Sequence, residues 1–98
     1  MAKKPSECTC ITDVRSEIDC IDQQIISLLN RRFDYVREVV KYKENTASSI
    51  EASDRRTSML QDRRKWAEEK GLDPDVIEKM FDDLVQYFIR EEKKMINI

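Results

Sequence analysis

The chain has 98 residues, of which 39% are charged and 40% apolar, with one Gly, two Pro, no His and a formal net charge of −2. One domain is the expectation from length, and the composition reads as all-α and highly charged. These totals argue against a general nucleic-acid binder, a membrane span and any Ser–His or Cys–His catalytic pair.

Residues 1–11 read as an irregular lead-in. The stretch MAKKPSECTC has no apolar core of the signal-peptide kind, so a cytoplasmic protein is the expectation. Cys8, Cys10 and Cys20 are odd in number and imply no disulfide framework. Without His, Cys8 and Cys10 make a poor zinc site, and neither a metal nor a cofactor is expected.

A first long helix is predicted over 12–43, with Thr12 or Asp13 as its cap and Glu17 and Asp19 near its positive end. Val14, Ile18, Ile21, Ile25, Leu28, Val36 and Val39 fall on one seam in steps of three and four. Arg32 and Lys43 sit on the same seam, where a cation is costly unless an anion meets it. At ~1.5 Å per residue such a helix is roughly 48 Å long. A compact domain of this size has a radius of gyration of only about 13 Å. The helix therefore predicts a helical partner, most simply a second copy of the chain.

Residues 44–52, ENTASSIEA, read as a polar loop. Ser53 is the expected cap of a second helix over 54–69, whose apolar side is thin: Met59, Leu60, Trp66 and Ala67. Gly71 suits the position that ends it. Asp73 and Pro74 start a third helix over 74–95. Val76, Ile77, Met80, Phe81, Leu84, Val85, Phe88 and Ile89 make its broad apolar face, and Glu92 continues that face four residues after Phe88. Long, short and medium helices that need a partner suggest an intertwined helical dimer.

The runs 62–65 and Lys93–Lys94 read as solvated faces with weak local ion pairs. Arg32 and Lys43 have a bland alternative too, as snorkelling cations or members of a buried pair. A carboxyl group on an apolar face has its neutral form favoured by desolvation, so Glu92 could donate a hydrogen bond. Its alternative is to partner Lys43 or an Arg of another helix. Arg15, Arg32, Lys43 and Arg55 together suit a small dicarboxylate, since Arg clamps carboxylates bidentately. The residues by themselves lead to a pocket for a dianionic small molecule, with no nucleophile.

Arg15 in DVRSEID, Arg31–Arg32 in LLNRRFDYV, Lys43 in KYK, Arg55 and the polar Glu92 resemble the all-helical AroQ-type chorismate mutase family over nearly the whole chain. Within it, RRFDYV, the Arg55-to-Leu60 segment, WAEEKGLD and the N-terminal ECT look most like isochorismate-pyruvate lyases of salicylate formation. The resemblance implies a domain-swapped homodimer with Arg15 supplied across chains. It implies that Arg15 and Arg32 hold two substrate carboxylates and that Lys43 reaches a carboxylate and the breaking ether bond. Arg55 would sit over the ring, and Val39, Met59, Val85 and Ile89 would form apolar walls. Catalytic roles fall to Lys43, Glu92 and Arg32.

Three departures from typical mutases bear on the substrate. Glu92 stands at the usual Gln, Arg56 at the acidic residue that contacts the chorismate hydroxyl, and Phe88 at a small hydroxyl residue. Arg56 and Phe88, which replace the groups that read the chorismate hydroxyl, favour isochorismate, with chorismate turnover as a side activity; Glu92 departs from the lyase pattern too. The alternatives are an ordinary chorismate mutase and, in another class, a non-catalytic helical dimerisation or regulatory module.

Overall fold

The computed structural model describes residues 3–97, and among them there are helices and no strand. The chain divides into two compact units, one ending at Tyr35 and one beginning at Val36. Among the described residues no helix is long and apolar enough to cross a membrane.

In the N-terminal unit the lead-in contains a 3-10 turn, Pro5–Glu7, closed by the Lys4 amide donating to Glu7 Oε1 at 3.0 Å. Helix α1 (Ile11–Val39) begins one residue earlier than its expected cap. Asp13 acts from inside the first turn. Its carboxylate accepts from the Thr9 amide at 3.1 Å, the Thr9 hydroxyl at 3.0 Å and Lys3 Nζ at 3.4 Å. These donors hold the Asp13 carboxyl below its ordinary value, with the Thr9 amide the largest cause. No residue of α1 is buried. The seam residues Val14, Ile18, Ile21, Ile25 and Leu28 are 43–56% exposed.

In the C-terminal unit the α-helical geometry of α1 stops at Val39, short of the predicted end at Lys43. A 3-10 turn, Val40–Tyr42, follows, and Lys43 is extended at φ −99°, ψ 150°. The consecutive β-branched residues Val39 and Val40 lose side-chain freedom in a helix, which favours an early end. Lys43 is thereby removed from the helical seam on which its spacing had put it.

Within the stretch expected to be a loop the structure has a short helix, α2 (Ala47–Glu51). Thr46 caps it, accepting from the Ser49 amide at 3.1 Å, and the Ser49 hydroxyl accepts from the Glu44 amide at 3.1 Å. Its one large apolar residue, Ile50, is 1% exposed. One large apolar side chain makes no periodic stripe, so the helix is not visible by periodicity. Ala52 follows in the left-handed region at φ 44°, ψ 57°, a conformation costing a non-glycine residue roughly 1–2 kcal/mol. Helix α3 (Ser53–Glu69) starts immediately after it, so Ser53 is a helical residue and not the expected cap.

Gly71, at φ 74°, ends α3 in a Schellman arrangement: Leu72 N donates to Ala67 O at 2.8 Å and Gly71 N to Glu68 O at 3.1 Å. Asp73 then caps α4 (Pro74–Met95) by accepting from the Asp75 amide at 2.9 Å. Helices α3 and α4 pack on each other, and α2 packs on α4. Met59, Ala67, Phe88, Ile89 and Ile50 form the core of this unit. Val76 and Met80, expected on the apolar face of α4, remain more than half exposed.

Charged residues also tie α3 to α4. Arg56 donates from Nε to Asp82 Oδ1 at 2.9 Å and again from its terminal nitrogen, while Gln86 holds Asp82 Oδ2 at 3.2 Å. Arg64 reaches Asp75 at 2.8 Å and Glu78 at 3.4 Å, and its hydrogen bond to Asp75 raises its already high pKa. Arg63, expected on a solvated face, is half-buried. Its guanidinium lies 4.6 Å from the Trp66 ring centroid and 5.6 Å from that of Phe81. Its buried Nε has no hydrogen-bond partner among the described residues, and burial, with the charge of Arg55, lowers its pKa.

Candidate active site

The polar centre of the C-terminal unit is built from three elements. Helix α4 supplies Glu92, which is 3% exposed on an otherwise apolar face. Ile89 and Val85 lie three and seven residues before it, on the same side of the helix. The extended residue after α1 supplies Lys43, whose Nζ donates to Glu92 Oε1 at 3.2 Å. Helix α2 supplies the backbone carbonyl of Ile50, which accepts from the same Nζ at 3.1 Å. That carbonyl falls in the last turn of a five-residue helix, where no later amide of the helix can reach it, so the ammonium fills an intrinsic gap. An ammonium has three donors, and these two contacts leave one for a further acceptor.

The structure therefore joins two of the expected site residues, Lys43 and Glu92, and realises the alternative in which Glu92 is the partner of Lys43. Met59 is buried on α3, Ile89 is buried and Val85 half-buried on α4, and Val39 is 42% exposed at the end of α1. Arg55 is exposed in the first turn of α3. Arg15 and Arg32 belong to the N-terminal unit, where Arg15 is exposed and Arg32 is half-buried and engaged in an interaction. Arg56 is committed to Asp82.

Sequence spacing missed two participants. Ile50 contributes a backbone atom, which no side-chain pattern reports. Lys93 donates to Glu51 Oε1 at 2.9 Å across 42 residues and links α4 to α2, although it read as part of a solvated run. The only cue was the position of Lys93 directly after Glu92.

Taken as chemistry, the arrangement offers a fixed cation beside a carboxyl group at one end of an apolar wall, with no His in the chain. Such a centre can hold an anionic ligand and stabilise charge that develops on an oxygen.

Residues 14–93 match the family described as chorismate mutase type II. An isochorismate pyruvate lyase of Pseudomonas aeruginosa is 40% identical over 92 residues, covering 94% of this chain and 90% of that relative. The T-proteins of Haemophilus influenzae and Enterobacter agglomerans are 40% and 37% identical over 81 residues, or 83% of this chain. The matched part is 20% and 21% of those longer proteins, so the chain spans about a fifth of their length. With its all-helical fold and a family match across most of its length, the chain belongs to the chorismate mutase type II family.

Proposed function

We propose that the protein is an isochorismate-pyruvate lyase, converting isochorismate to salicylate and pyruvate, with chorismate mutase activity as a lesser reaction of the same pocket. The observation that carries this reading is the Lys43–Glu92 pair, a cation and a carboxyl group meeting beside apolar residues. The similarity to an isochorismate pyruvate lyase over 94% of the chain supports the choice of substrate. So does Arg56, which is bound to Asp82 where a typical mutase carries an acidic contact to the chorismate hydroxyl.

The reaction is pericyclic. The ether bond to the enolpyruvyl group breaks while a ring hydrogen moves to that group, which leaves as pyruvate, and the ring becomes salicylate. No enzyme nucleophile is needed, in keeping with a chain that lacks His. Catalysis consists of holding the side chain over the ring and stabilising negative charge on the ether oxygen as its bond lengthens. Lys43 donates to that oxygen with its remaining N–H. Glu92, when protonated, donates as well.

On the family pattern, Arg15 and Arg32 take the two carboxylates, and Arg55 covers the ring. Arg15 comes from a second copy of the chain. The exposed apolar seam of α1 supports such a homodimer, because no residue of that 29-residue helix is buried within one chain. A cytoplasmic location is part of the same proposal.

The second reading is a chorismate mutase converting chorismate to prephenate, which the family description favours. A paired steady-state assay with isochorismate and chorismate, at pH 5.5 and 7.5, separates the two. Salicylate forming much faster than prephenate is the expected result. Dominant prephenate would make the protein an ordinary mutase, and inactivity on both substrates would leave a non-catalytic helical module.

A further inference from the structure

We infer that Glu51 and Lys93 form a latch that seats α2 and, through the carbonyl of Ile50, sets the position of the Lys43 ammonium. This rests on the proposed reaction for its catalytic consequence, but not for the latch itself. Glu51 and Lys93 are positioning residues and are not assigned any contact with substrate.

Helix α2 has five residues, far too few to be stable by helix propensity alone. Three attachments hold it. The Ile50 side chain is 1% exposed, the Ile50 carbonyl accepts from Lys43, and Glu51 is bound by Lys93 of α4 at 2.9 Å. The hydrogen bond and charge of Lys93 hold the Glu51 carboxyl below its ordinary value, and Arg56 adds a smaller attraction. The helix is bounded by the Thr46 cap on one side and the left-handed Ala52 on the other, so a change of backbone angles at its ends can move it as a piece.

The consequence falls on Lys43. Its ammonium is shared between a neutral carbonyl on α2 and a carboxyl group on α4. With α2 seated, the Ile50 oxygen offsets the pull of Glu92 and fixes where the remaining donor points. With α2 lifted, the ammonium keeps only Glu92 and moves toward it. The latch therefore governs the orientation of the catalytic cation without touching the substrate.

The test uses the full chain as wild type, Glu51→Gln, Glu51→Lys and the charge exchange Glu51→Lys with Lys93→Glu. Each is followed by amide hydrogen exchange and by steady-state turnover of isochorismate. Partly exposed ion pairs bias an equilibrium by about two- to fivefold. The amides of Ile50 and Ala52, which bond to Thr46 and Ser48 inside α2, should exchange faster by that factor in Glu51→Gln. They should exchange faster still in Glu51→Lys and return toward wild type in the exchanged pair, with the amides of α3 and α4 unchanged. Turnover number should fall and recover in the same order, with a smaller change in KM.

Unaltered exchange at Ile50 and Ala52 in Glu51→Lys overturns the latch, as does an exchanged pair that restores nothing. Faster exchange with unchanged turnover overturns the positioning role. If the wild type acts on neither isochorismate nor chorismate, the proposed function fails, and the exchange measurements alone decide the latch.

Discussion

Nζ of Lys43 stands 3.2 Å from Oε1 of Glu92, and forty-nine residues of chain separate the two. The Glu92 side chain is 4% exposed and that of Lys43 22%. At an effective dielectric constant of about 20 their attraction is on the order of 5 kcal/mol. Desolvating each ion costs several kcal/mol, so the pair adds little net stability. Its importance lies in position. Loss of one partner is a different matter, because it strands the other in an apolar setting.

Lys43→Ala is expected to lower turnover of isochorismate by at least ~100-fold, the scale seen when a donor to a developing oxyanion is removed. It should also lower the melting temperature, since Glu92 is left buried without its cation. Steady-state kinetics on protein verified as folded by circular dichroism measures the first effect. A near-wild-type rate would count against the proposed site.

Glu92 can donate a hydrogen bond only when it carries a proton, whereas Gln donates at every pH. Glu92→Gln therefore keeps both a donor and a carbonyl that accepts from Lys43 and should retain most of the turnover, whereas Glu92→Ala, which has neither, should lose it. Steady-state kinetics on the two variants check this, and a Glu92→Ala rate equal to wild type would remove Glu92 from the proposed site.

Asp13 offers a pH test independent of catalysis. Its folded-state pKa lies below the ordinary 3.8, so the carboxylate stabilises the start of α1 above that pH. The contribution is lost as pH falls through the folded-state value. Asp13→Asn should melt below wild type at neutral pH, and the difference should close in strong acid. Thermal melts across this range check it, and a gap of constant size would mean the Thr9 contacts do not depend on charge.

The proposed homodimer is testable on α1. Ile21 is 53% exposed and lies on the apolar seam. An aspartate there would have to be desolvated in a helical interface. Ile21→Asp should sediment as a smaller species than wild type and lose turnover, because Arg15 would no longer be supplied across chains. A wild-type protein that sediments as a monomer while fully active would exclude the shared site.

The sequence by itself determined the parts of this protein that depend on local order. The Asp73–Pro74 start, the Gly71 stop and the long apolar seam of α1 were legible because capping, φ preference and helical periodicity act within a few residues. The residue types of Arg15, Arg32, Lys43 and Arg55 suggested a dicarboxylate, but not which charges meet. The tertiary structure decided which charges meet. It took Lys43 out of the helical seam and brought it to Glu92, bound Arg56 to Asp82, and joined Lys93 to Glu51. It also made a helix of 47–51 around one buried isoleucine. These pairings cross 26 to 49 residues and depend on how α2, α3 and α4 pack, which no periodicity within a single segment encodes.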